Sequence, residues 1–195
     1  MTPRHGFCLP AALLAAVLLL AADPAAGAEV AYLMYSKGTE GKTVPIRVLW
    51  DNRADGNARI TIDLSTQYEA WLKKLGLDPV LKYDATLNKS TFMVRDPELT
   101  RFVKIVATSI VQALLKPTNP PNPPPEQPAD QPPPEATVPG AVLLITPSKG
   151  TPPSQLEVIA RLHVTYPVPQ KSGPPKMADL INNDLTFVGK PERPR

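Results

Sequence analysis

The side chains best placed for chemistry are five carboxylates in or beside alternating segments: Asp51, Asp55, Asp63, Asp84 and Glu157. Two carboxylates facing each other across a cleft can work as acid and base, or acid and nucleophile, on a glycosidic bond. Their spacing singles out no pair. Trp50, Tyr68, Trp71 and Tyr83 offer rings for stacking on a sugar, although aromatic residues in such segments ordinarily belong to a core. His163 is the one histidine beyond the first 28 residues. A Ser-His-Asp triad would have to use it, and no G-x-S-x-G elbow accompanies it. Its position on the polar face of an alternating segment reads as a solvated or structural role.

Two loops imitate ion sites. Residues 38–43 (GTEGKT) follow an apolar run and resemble a phosphate loop. That motif needs a glycine five places before Gly41, where Ser36 stands, and a helix opening at the lysine. The alternating Val44-Pro45-Ile46-Arg47-Val48 predicts a strand instead. Asp51, Asp55, Gly56 and Asn57 suggest a calcium loop. With Asp51 first, Arg53 takes the third position and Ile62 the twelfth, and neither can ligate calcium. The segment reads as a turn.

Residues 1–28 read as a secretory leader. Arg4 precedes an apolar run, Pro10 to Ala22, and Ala26-Gly27-Ala28 forms a cleavage site with Ala26 and Ala28 at its two small positions. Thirteen apolar residues are too few for a spanning helix, which needs about 20. No stable membrane insertion is therefore expected after cleavage. The one cysteine, Cys8, lies inside the leader, so the remainder has no disulfide, thiol nucleophile or cysteine metal site. The predicted location is the periplasm or the extracellular space.

These candidates have to be positioned by a chain rich in breakers: 26 of its 195 residues are proline. Eleven of those prolines fall within residues 117–139, which hold no aromatic residue. Such a tract cannot bury enough apolar surface to fold and is expected to be a disordered, polyproline-II-like spacer. Residues 29–116 and 140–195 each carry a net charge of +3, and the tract carries −3. Pro120 to Pro123 fits P-x-x-P, a docking pattern for aromatic grooves, but reach is the simpler use.

Residues 29–116 read as an α+β block. Strands are predicted near 30–35, 43–50 and 58–64, and shorter ones near 80–84 and 91–95. A short helix is expected over 67–75, with Thr66 and Glu69 as a capping box, Tyr68, Trp71, Leu72 and Leu75 on its inner face, and Gly76 after its end. A long helix is expected over 97–116, with Asp96 as N-cap and Pro97 at its first position. Its stripe from Leu99 to Leu114 predicts a helix covering the sheet. Beyond the tract, 141–146 and 155–166 predict a long hairpin with one wet face, and 185–188 a further strand. This hairpin is expected to pack on residues 29–116. Ser-Lys-Gly-Thr recurs at 36–39 and 148–151, as short turn sequences readily do. The fold class expected is α+β: a mainly antiparallel sheet with one long and one short covering helix, interrupted by the proline-rich tract.

Function is bounded rather than named. No basic stripe marks a nucleic-acid surface, and no cofactor motif is present. The leading expectation is an exported, non-enzymatic binding protein of the envelope, with a protein or cell-wall polymer as partner. The alternatives are a small carboxylate-dependent hydrolase and a ligand carrier. Two carboxylates converging in a concave pocket would favour the hydrolase. An apolar cavity beneath the 97–116 helix would favour the carrier.

Overall fold

A computed structural model describes residues 29–40, 42–53, 56–115, 134–168, 170 and 174–192. The expected leader with Ala26 and Ala28, Asp55, and the P-x-x-P segment lie outside the described residues. The molecule is mostly antiparallel sheet with two helices. Its strands are β1 (Val30–Ser36), β2 (Ile46–Asn52), β3 (Ala58–Asp63), β4 (Val80–Asn88) and β5 (Thr91–Val94), followed by β6 (Ala141–Pro147), β7 (Leu156–Leu162), β8 (Val164–Val168), β9 (Lys176–Ile181) and β10 (Leu185–Pro191). Helix α1 is Ser65–Lys74 and α2 is Pro97–Leu114.

Eight strands close into a barrel in the order β1-β10-β7-β6-β5-β4-β3-β2, and β8 and β9 form a separate hairpin. Period-two patterning drives this. Val48 and Trp50, Ala58 and Ile60, and Leu143 and Ile145 are buried on one face of their strands, while charged residues such as Arg47, Arg59 and Arg161 take the other. A sheet with one apolar face can bury that face by curling on itself, which also removes its open edges. The closure brings β10 beside β1, with Gly189 opposite Met34. A side chain at 189 would strike Met34 Sδ and come within 2.9 Å of the Leu33 carbonyl oxygen. Glycine is what lets the two strands approach.

Helix α1 is capped differently from the sequence expectation. The Thr66–Glu69 box does not form: Leu64 is the N-cap and makes no side-chain cap bond. Asp63 Oδ1 accepts instead from both the Ser65 N–H and the Ser65 hydroxyl, which holds its carboxyl below the usual range. Glu69 is then free to accept from Lys73 Nζ at 2.6 Å. The helix ends as expected at Gly76, whose φ of +70° allows the Gly76 and Leu77 N–H groups to reach the Lys73 and Leu72 carbonyls. Only Leu72 is buried on α1. Tyr68 and Trp71 are exposed, at 42% and 36%, against the expectation that they enter the core. The helix sits at the barrel rim and reaches the core with a single side chain.

Helix α2 begins as the sequence indicates. Asp96 accepts from the Glu98 N–H at 2.8 Å, and Pro97 opens the helix. Its first half covers the barrel with Leu99 and Val103. Its second half packs Ala107 and Val111 against Val164 and Ala136. Residues 134–139, the end of the segment read as proline-rich tract, are described here and lie against α2 as a strap. Thr108 Oγ1 accepts from the Ala136 N–H at 3.0 Å, Lys104 pairs with Glu135 at 3.0 Å, and Thr100 Oγ1 accepts from the Ala141 N–H at 3.1 Å. Those three helix residues are four apart, so they share one face. Thr137 also bridges to Thr165 of β8.

The single long strand expected over 155–166 is in fact two. Strand β7 pairs with β6 as far as Leu162, which faces Ala141, the first residue of β6. Beyond that the chain has no ladder partner in the barrel. It turns out at His163 and finds new partners in β9 and Thr137. Strand β9 had no clear signature in the proline-rich tail. Among the described residues no helix is long and apolar enough to cross a membrane.

Candidate ligand-binding site

The barrel has two unlike ends. Because neighbouring strands run antiparallel, the connections holding α1, α2 and the β8–β9 hairpin all leave from one end. The connections β2–β3, β4–β5 and β6–β7 close the other. A cavity of about 210 Å³ occupies the first end. It is lined by Met34 of β1, Ile46 and Val48 of β2, Ile60 and Ile62 of β3, and Leu64 and Leu81 beyond. Leu143, Val158, Ala160 and Leu162 complete the far wall, with Leu185 and Phe187 of β10. Leu99, Phe102 and Val103 of α2 cover it. Every lining residue is apolar.

On β1 to β4, β6 and β7 the inward residue one step deeper does not line the cavity. Tyr32, Trp50, Ala58, Tyr83, Ile145 and Leu156 take those positions, and all are buried. They make a solid floor. Trp50 and Phe92 meet edge to face with centroids 4.9 Å apart. The Tyr32 hydroxyl donates to the Pro153 carbonyl at 2.8 Å, tying the β6–β7 loop beneath the floor. Burial, with a smaller contribution from the charges of Asp96 and Glu98, pushes the Tyr83 phenol up to about 12. Burial raises Tyr32 as well. The cavity is not sealed at its other end: Leu185 lines it and is 39% exposed.

The carboxylates do not gather at this cavity. Asp84 pairs with Arg59 at 3.0 Å and with Arg53 at 3.4 Å. Asp51 faces Arg53 at 3.9 Å. Glu157 meets Lys37 at 3.7 Å on the outer face, and Asp63 serves α1. Asp51 and Asp84 therefore come near each other, but with an arginine between them. Where a calcium loop would need a cation there is Arg53. Among the described residues no cluster of three or more metal-ligating side chains occurs. Residues 38–40, 42 and 43 form a turn, with Gly38 at φ +86° and the Gly38 N–H bonded to Glu40 at 3.1 Å, and no helix follows. His163 Nε2 lies 3.3 Å from Asp179 Oδ1, which shares its carboxylate with the Asn182 amide. This exposed pair marks where the chain leaves the barrel.

The cavity was foreshadowed by one conditional expectation, that a space under the long helix would favour a carrier. Its wall residues were legible as strand faces. That their volumes leave a void was not, because the void is a sum over strands distant in sequence. No protein-family model, curated protein or solved structure matches this chain.

Proposed function

We propose that this is an exported, non-enzymatic binding protein whose barrel takes up a small apolar ligand. One observation carries the reading: a 210 Å³ cavity with an entirely apolar lining, inside a closed eight-stranded barrel. A barrel of eight strands is about wide enough either to fill with side chains or to hold one small ligand. Here the same strands do both, filling one half and leaving the other open. Apolar cavities stay dry, and one of about 150 Å³ lined by Leu, Ile and Phe takes up benzene or xenon. Water in such a space would find no hydrogen-bonding partner, so an apolar guest gains both burial and dispersion contacts. Export is supported by the leader-like pattern of residues 1–28, a pattern that goes with a periplasmic or extracellular carrier.

Titration of the purified protein with benzene tests the reading. Saturable one-to-one binding with a rise in Tm is expected, and Ala160→Phe, which fills the void from β7, should abolish both while leaving the barrel folded. Absence of saturable binding, or binding unchanged in Ala160→Phe, would refute it.

A further inference from the structure

Resting on that reading, we infer that the natural guest is the hydrocarbon tail of an amphiphile, about eight carbons of which enter the barrel while the polar head stays in water. The lining offers no donor and no acceptor. Any polar group drawn inside would lose its water without replacement. The buried part of the ligand must therefore be pure hydrocarbon. A free hydrocarbon fits that condition, but so does a tail, and the opening favours the tail. Leu185 belongs to the wall and to the surface at once, so a chain can run from the cavity into solvent along one continuous apolar side chain.

Length follows from volume. Scaling from six carbons of benzene in about 150 Å³ gives about eight carbons for this cavity. Depth is fixed from below by the aromatic floor and from the side by Ala160, the smallest residue in the lining. The head group meets no selecting charge at Leu185. Its strand partner is Ala160, and the adjoining Arg161 and Asp184 are already joined at 3.1 Å. The site is thus built to measure a tail and to ignore its head.

The test is a chain-length series of alkyl sulfates, alkyltrimethylammonium salts and alkyl maltosides, each kept below its critical micelle concentration. Affinity should tighten about fourfold per methylene up to about eight carbons and then level off. All three head groups should give the same slope. Ala160→Leu should move the plateau to shorter chains; Ile62→Phe, which fills the opposite wall, serves if that variant misfolds. A flat dependence on chain length, a head-group preference beyond tenfold, or a plateau unmoved by either variant would overturn the inference. Benzene binding without any alkyl binding would defeat the tail alone and leave the cavity reading standing. Failure of both would defeat the two together.

Discussion

The floor and the mouth of the barrel are built from the same strands, two residues apart, and are filled differently. At the floor, large rings fill the bore: Trp50, Tyr32, Tyr83 and Phe92 all lie in one buried cluster, with Ala58 and Ala85 as a ladder pair that leaves them room. At the mouth, mostly aliphatic side chains, with Phe187 of β10, line the wall of a void. The roof over them is helix α2, with polar latches to the strap through Lys104 and Thr108 and to the start of β6 through Thr100. One end is stabilised by packing and excludes a guest. The other leaves a void, and its cover is held by apolar packing at Leu99, Val103, Ala107 and Val111 together with those directional contacts.

The largest effect should come from setting the two ends against each other directly. Trp50→Ala is expected to cost about 3–5 kcal/mol, because it empties space that nothing nearby can refill. Ile62→Ala, beside space already empty, should fall near the low end of the roughly 2–5 kcal/mol range for such truncations. Urea melts of both variants measure this, and equal costs would erase the distinction between floor and mouth.

Alkaline pH probes the two buried phenols of the floor. The Tyr83 phenol is raised to about 12 in the folded chain, against about 10 when unfolded. A raised pKa contributes stability that is complete below about pH 10 and is lost as pH climbs through about 12. Tyr32, raised in the same direction, adds to the loss. Tm should fall across that window, and Tyr83→Phe should fall less steeply than the parent.

The roof's latches should matter less. Thr108→Val keeps the shape but leaves the buried Ala136 N–H without its acceptor, at an expected cost of about 1–3 kcal/mol. Hydrogen exchange should rise at Ala136 and Thr137 and stay unchanged at Trp50. Smallest of all is the Lys104–Glu135 pair, half-exposed on both sides. Lys104→Ala should cost less than about 1 kcal/mol, and salt should erase the difference.

Much of this fold was legible locally. The alternation at Ile46–Trp50, Ala58–Ile62 and Leu156–Ala160 fixed which residues face inward, since a strand's period is two whatever it pairs with. Asp96-Pro97 marked the start of α2 and Gly76 the end of α1, because caps are short-range chemistry. The misreadings share one cause. Tyr68 and Trp71 have helical spacing suited to a core, but α1 perches on a rim where one leucine suffices. The strand through His163 alternates without pause, but its partner β6 begins only at Ala141.

The sequence by itself determined most of the barrel strands and the two helices, since each depends on neighbours within a few positions. Tertiary structure alone decided that β10 returns to β1, that the strap clasps α2, and that the carboxylates meet arginines and lysines rather than one another. It alone decided the cavity. A void has no residue of its own: it is the difference between the space a closed barrel encloses and the volume its inward side chains occupy, and both terms exist only once the strands have come together.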